Sequence, residues 1–326
     1  MISIIIPTRN RASLLKDCLK SLTRQDFKSK YEVLVFDNGS KDSTQFVVKE
    51  FQDKLSNLKV FYEPEPGLHI GRNKGIQYSN GNILAFVDDD IEAFPSWLSS
   101  INECFKDPSV ALVGGNNLPM FLEPPPRWLK KLWDLSNTSG RKCIPSLSLI
   151  ELTGPNKLIS PHLIWGCNFS IRKDILLKAG GFHPDGMPNN LLRFRGDGET
   201  HVSDYIYSCG MKSIFHPGAS VYHKVTPERM SHSYFRQRGF CQGVSDSYTK
   251  LRLQKHEPKN LNLLKRLKNI FSSTSRIYRR IFSDREVNLA LDAENAGYKE
   301  GFTFHQNSYK NDPEVREWVH RPNYFQ

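Results

Sequence analysis

Nothing in the 326-residue chain reaches the run of about 18 apolar residues that a bilayer-spanning helix requires. The start, Met1-Ile2-Ser3-Ile4-Ile5-Ile6-Pro7, has neither the basic opening nor the apolar length of a secretory signal. Cysteine is sparse. Six thiols, at 18, 104, 143, 167, 209 and 241, form no C-x-x-C pair, and none has a histidine at zinc-finger spacing. That pattern argues against a disulfide framework or a structural zinc and predicts buried, inert thiols in a reducing compartment. A cytoplasmic protein is expected. No G-x-G-x-x-G follows the first apolar run, which disfavours a dinucleotide-binding dehydrogenase. Acidic residues nearly vanish between positions 250 and 282, where ten Lys or Arg face one acid, Glu257. Most of the net charge of +11 therefore belongs to one region.

What is present reads as an α/β chain. Ile4-Ile5-Ile6 is a β-branched run closed by Pro7, the pattern of a buried parallel strand. Leu14, Leu15, Cys18, Leu19 and Leu22 then recur at helical spacing, with Ser13 as a candidate cap. Further strands are predicted at 32–36, 58–62 and 83–87, with helices near 44–55 and after Gly67. Strand and helix alternate at short intervals, which predicts a mostly parallel sheet covered by helices. Beyond residue 100 the pattern is mixed. Strands are expected at 111–113, 163–171 and 220–223, a helix at 199–208, and a loop or short helix in the Pro- and Trp-containing stretch 123–133.

In parallel sheets ligands bind beyond the carboxyl ends of the strands. Here those ends carry Thr8, Arg9, Asp37 and the run Asp88-Asp89-Asp90. Three acids directly after an apolar strand repel one another unless a cation sits among them. A Mg²⁺ or Mn²⁺ takes oxygen ligands and leaves positions for phosphate oxygens. The bland alternative is a solvated acidic turn.

Taken in order, the motifs resemble family 2 inverting glycosyltransferases of the GT-A fold. The resemblance rests on Ile4-Ile5-Ile6-Pro7-Thr8-Arg9-Asn10, Val35-Phe36-Asp37-Asn38-Gly39-Ser40, Gly71-Arg72-Asn73-Lys74-Gly75 and Phe86-Val87-Asp88-Asp89-Asp90. It continues through Gly166-Cys167-Asn168-Phe169, Gly180-Gly181-Phe182, Gly198-Glu199-Thr200 and Val221-Tyr222-His223. It implies a GT-A domain over 1–245, with a nucleotide-sugar-binding half at 1–100 and an acceptor-side half at 101–245, and a basic helical extension at 246–326. It also implies that Pro7, Thr8, Arg9, Asp37, Arg72, Asp88 and Asp89 bind the nucleotide. Asp90 and Asp88 would hold Mn²⁺ or Mg²⁺, and His223 is a further candidate ligand that would favour Mn²⁺. The donor is expected to be a nucleotide-sugar, UDP-linked, and the acceptor a glycan or lipid-linked saccharide.

Inverting transfer needs a base for the acceptor hydroxyl. Gly196-Asp197-Gly198-Glu199 supplies two candidates, Glu199 and Asp197. The family's usual acidic pair is broken here by Gly198, which leaves the choice open and keeps an inactive sugar-nucleotide-binding protein as a rival. A nucleotidyltransferase is a second rival, disfavoured because Pro7-Thr8-Arg9-Asn10-Arg11 contains no glycine. Trp165 and Phe169 are expected in the core, and Trp128 and Trp133 in an acceptor-side lid. His183, His201 and His216 have no supporting context. Apolar residues at helical spacing within 261–282 suggest a basic amphipathic helix, either lying on an anionic membrane surface or packed on the catalytic domain. No nucleic-acid-binding module accompanies the charge.

Overall fold

The structure is a computed structural model in which residues 1–136, 140–255 and 284–325 are described. The first half alternates as expected. Strands β1 (Ile2–Thr8), β2 (Tyr31–Asp37), β3 (Leu58–Tyr62) and β4 (Ile83–Val87) are separated by helices α1 (Ala12–Leu22), α2 (Thr44–Gln52) and α3 (Leu68–Tyr78). Next come β5 (Ile91–Ala93), α4 (Trp97–Cys104), β6 (Val110–Gly114), β7 (Asn117–Phe121) and α5 (Arg127–Leu135). Short strands β8 (Arg141–Ile144), β9 (Leu149–Leu152) and β10 (Lys157–Leu158) precede β11 (Asn168–Arg172), α6 (Lys173–Ala179) and α7 (Thr200–Ser208). The chain continues with β12 (Lys212–Phe215), β13 (Val221–Val225), α8 (His232–Lys255), α9 (Arg285–Asn311) and α10 (Pro313–Val319).

Eight strands form the main sheet in the order β10-β12-β6-β11-β4-β1-β2-β3. The pairs β1–β2, β1–β4, β2–β3 and β6–β12 are parallel, and β11 is inserted antiparallel between β4 and β6. The isoleucine run of β1 is buried on both faces. Ile2, Ile4 and Ile6 join one core with Leu15, Leu19 and Trp97, whereas Ile5 joins a second with Leu34, Ile76 and Phe169. Period-2 alternation thus sends successive isoleucines into two different cores, and the one polar residue within the run, Ser3, is buried with its hydroxyl donating to Glu32.

A second sheet was not anticipated. It has the order β5-β13-β7-β9-β8 and is built from strands of three to five residues. The stretch 163–171 is a 3₁₀ turn, Pro161–Leu163, followed by β11, rather than one long strand. Ser13 does not cap α1; the Asp42 carboxylate accepts the Ala12 amide instead, at 3.0 Å. Trp128 and Trp133 are buried with Leu129 and Leu132 in a third core that also contains Val287 and Leu291. Phe169 is fully buried, while Cys209 is exposed, unlike the buried Cys18, Cys104 and Cys167.

Helices α8 and α9 run parallel, with Gly239 against Glu294, Gly243 against Tyr298, and Ser247 bonded to His305 at 2.8 Å. Glycines four apart on each helix permit this approach. A Cβ added at Gly239, Gly243, Gly297 or Gly301 would lie 2.0–2.1 Å from the opposing backbone. The amphipathic stretch predicted at 261–282 lies outside the described residues, between these two helices. Among the described residues no helix is long and apolar enough to cross a membrane.

Candidate functional site

β1, β2 and β4 are parallel neighbours, so their carboxyl ends open on one edge of the sheet. Thr8 pairs with Asp37 there, and Asp88-Asp89-Asp90 follow β4 directly. The second sheet brings in a histidine. β5 and β13 are antiparallel, with His223 opposite Ile91, and the Lys224 amide donates to the Asp90 carbonyl at 2.8 Å. This register sets His223 Nε2 3.2 Å from Asp90 Oδ1.

That approach lacks hydrogen-bond geometry. Asp90 Oδ1 and His223 Nδ1 are both buried without a partner. Buried polar atoms are rarely left so, because an unmade bond costs roughly 1–3 kcal/mol. One ligand atom each from Asp88, Asp90 and His223 lies within 4.8 Å of the others. Two carboxylates and an imidazole, with unsatisfied lone pairs, fit a divalent cation.

Two arginines not picked out from the sequence surround these acids. Arg11, at the start of α1, donates to Asp89 Oδ1 at 2.7 Å and to Asp90 Oδ2 at 3.2 Å. Arg229, just after β13, donates to Asp90 Oδ2 at 3.1 Å. Thr8 Oγ1 donates to Asp89 Oδ2 at 2.7 Å. Asp89 therefore faces Thr8 and the start of α1. Burial drives its carboxyl up to about 7, opposed by Arg11 and reinforced by the charge of Asp90. Burial would also raise Asp90, but His223, Arg11 and Arg229 hold it well below the usual carboxylate range. Arg11 had a weak sequence signal, two residues past Arg9 in the same turn. Arg229 had none.

The remaining residues expected on the nucleotide side divide. Pro7 is buried beside Gly71 of α3, and Arg9 is exposed. Asp37 is buried at the end of β2. Its Oδ1 accepts the Ser40 amide at 2.8 Å, while Oδ2 is buried with no partner. Asp37 also lines a cavity of ≈ 260 Å³ with Gln45, Val48, Val60 and Tyr62, between α2 and β3. None of the three candidate metal ligands lines that cavity.

Arg72 joins the three candidate metal ligands to the acidic loop. Its buried guanidinium contacts Asp88 Oδ1 at 3.1 Å and Glu199 Oε2 at 3.4 Å. Gly166 makes room for it, since a Cβ there would fall 2.5 Å from the guanidinium. The Gly166 amide also donates to Glu199 Oε1 at 2.9 Å. Glu199 is thus held by two donors with its side chain 23% exposed.

Asp197 is enclosed. It shares a hydrogen bond with His183 Nδ1 at 2.7 Å and accepts from Thr249 Oγ1 at 2.6 Å, with its side chain 5% exposed. Burial opposes its charge, but His183 and the Thr249 hydroxyl hold its carboxyl below the ordinary value. His183 in turn stacks on His201, ring centroids 3.8 Å apart. These histidines have a structural context that spacing alone did not reveal. The glycine at 198 also has a cause. Its φ of +57° is costly for other residues, and a Cβ there would lie 3.1 Å from the Asp185 carboxylate.

Residues 3–179 match the family described as Glycosyl transferase family 2. The chain is 43% identical over 117 residues to glycosyltransferase AglE of Haloferax volcanii, covering 35% of this chain and 38% of that protein. It is 35% identical over 102 residues to the GalNAc(5)-diNAcBac-PP-undecaprenol beta-1,3-glucosyltransferase of Campylobacter jejuni, covering 31% of this chain and 33% of that one. The matched segments therefore span between a third and two fifths of those relatives. Among solved structures, the mannosyltransferase PcManGT of Pyrobaculum calidifontis, in complex with GDP-Man and Mn²⁺, superposes with a TM-score of 0.57 at 19% identity. That match covers 98% of this chain and 82% of the other. S. aureus TarS 1–349 in complex with UDP superposes with a TM-score of 0.51 at 16% identity, over 95% and 91% of the two chains. These likenesses establish the fold, a GT-A type α/β architecture with a mostly parallel central sheet. On the extent of the family match, the chain belongs to glycosyl transferase family 2.

Proposed function

We propose that this chain transfers a sugar, with inversion and in a single displacement, from a nucleotide-sugar to an acceptor hydroxyl on a glycan or lipid-linked saccharide. The observation that carries the proposal is the convergence of Asp88, Asp90 and His223, with two of their polar atoms buried and unpartnered, beside the Arg72–Glu199 bridge. Asp88, Asp90 and His223 would hold Mn²⁺ or Mg²⁺, with the imidazole favouring Mn²⁺. The bound cation would stabilise charge developing on the diphosphate leaving group.

The protein's own residues perform the other tasks. The unpartnered Asp37 Oδ2 accepts a hydrogen bond from the base or ribose. Thr8 and Arg11 fix Asp89, which orients the acidic turn. Glu199 takes the acceptor proton as the hydroxyl oxygen bonds to the anomeric carbon and the bond to the diphosphate oxygen breaks. Glu199 is favoured over Asp197 because its side chain reaches solvent, 23% exposed, whereas that of Asp197 is enclosed at 5%. A lipid-linked acceptor has the support of the undecaprenol-linked substrate named for the Campylobacter jejuni relative. A UDP donor has that of the UDP complex of TarS.

A thermal-shift panel of UDP- and GDP-sugars with Mn²⁺, Mg²⁺ or EDTA tests the reading. A metal-dependent rise in Tm with at least one nucleotide-sugar is expected. No shift with any nucleotide in the presence of Mn²⁺ would overturn it.

A further inference from the structure

Four arginines near the candidate site answer to carboxylates. Arg11 and Arg229 contact Asp90, Arg72 lies between Asp88 and Glu199, and Arg195 pairs with Asp185 at 2.5 Å. A fifth, Arg238, does not. Among the described residues no carboxylate comes within salt-bridge distance of it, and its Nε, like those of Arg72 and Arg229, is buried without a hydrogen-bond partner.

Its position follows from α8. Ser245, seven residues on and therefore on the same helical stripe, donates to the Gly196 carbonyl at 2.7 Å and accepts from Arg195 Nε at 3.2 Å. Arg229, which contacts Asp90, lies just before the start of the same helix. Arg238 therefore shares a stripe of α8 with the residue that holds the loop leading to Glu199. Asp185, Glu199 and, from α9, Glu294 act on it through space, without touching it. A half-buried guanidinium with an unmet donor is costly unless something anionic meets it.

We propose that Arg238 is an acceptor-specificity residue that binds an anionic group, a carboxylate or a phosphate, carried by the acceptor beside the hydroxyl attacked. This rests on the placement of Glu199 as the base, which makes the surroundings of its loop the acceptor side. The guanidinium offers two parallel N–H donors to such a group, and a neutral sugar leaves them unpaired.

The test is calorimetry on the full chain loaded with Mn²⁺ and UDP, titrated with p-nitrophenyl glucuronide, glucose 6-phosphate and p-nitrophenyl glucoside. The wild type is expected to bind at least one anionic probe about tenfold more tightly than the neutral one. Which anionic probe wins distinguishes carboxylate from phosphate. Arg238→Met keeps the apolar stem and should bring all three probes within about twofold of one another, while Arg238→Lys restores part of the preference. Arg236→Met removes the same charge from an exposed position paired with Glu300 and should leave the preference intact. The inference is overturned if the wild type shows no preference, absence of binding included. It is also overturned if the preference survives in Arg238→Met or falls equally in Arg236→Met. The same titrations without UDP read Arg238 alone, so failure of UDP to bind would strike the donor reading and not this one.

Discussion

Two histidine–carboxylate pairs lie on either side of the Arg72–Glu199 bridge in the chain's candidate site, and they are closed differently. His183 and Asp197 share a hydrogen bond at 2.7 Å, and Thr249 occupies the second carboxylate oxygen. His223 and Asp90 approach to 3.2 Å without one, and each keeps a buried atom with no partner. Both pairs are almost fully excluded from solvent. The difference therefore lies not in burial but in hydrogen-bond saturation. A saturated pair fixes a loop; an unsaturated one is available to a ligand. The first pair positions the loop that presents Glu199, and the second forms the proposed metal site.

The comparison can be broken by substituting each acid. Asp90→Ala has the largest expected effect, a loss of about 10³-fold in transfer rate from removal of a metal ligand. Initial rates at saturating Mn²⁺ measure it, and retention of full activity would contradict the metal role. Glu199→Gln comes next. It should slow transfer by about 10²-fold while leaving Mn²⁺-dependent UDP affinity within about twofold. A matched loss of UDP binding would move Glu199 from the chemistry to the donor site. Asp197→Asn, on the saturated side, should act on stability instead. Loss of the carboxylate weakens two buried hydrogen bonds and costs about 2 kcal/mol in denaturant unfolding, with kcat of the folded enzyme little changed. A collapse of kcat without loss of stability would make Asp197 the base.

The smallest effect concerns buried histidines outside these two pairs. Burial, above all, lowers His69, His201 and His305 to about 4. Each remains neutral in the folded protein at a pH where the unfolded chain, near 6.5, is already binding a proton. Their stabilising contribution is therefore complete above pH ~6.5 and lost as pH falls toward ~4. Unfolding free energy should fall with pH across that window. His305→Gln should reduce the slope by about one proton, at most about 1.4 kcal/mol per pH unit. An unchanged slope would mean that His305 titrates normally.

What the sequence made legible was whatever a short window encodes. The β1 isoleucines, the acids after β4 and the alternation through residue 90 are local patterns, and each reappears in the fold. The second sheet was not legible because its strands are too short to carry a period, and β7 meets β13 more than 100 residues away. The same distance hid Arg229, whose link to Asp90 spans 139 residues. The choice between Asp197 and Glu199 was likewise open in the sequence. Their different surroundings come from His183, Thr249, Arg72 and Gly166, contributed by four separate stretches of chain.

The central claim is that Asp88, Asp90 and His223 bind a divalent cation together with a nucleotide diphosphate. Electron paramagnetic resonance of free Mn²⁺, titrated with the protein in the presence and absence of UDP, tests it most directly. The account predicts depletion of the free signal at one Mn²⁺ per chain with UDP present, weakened in His223→Ala and abolished in Asp90→Asn. Unchanged depletion in Asp90→Asn, or equal UDP binding by the wild type in EDTA, would contradict it.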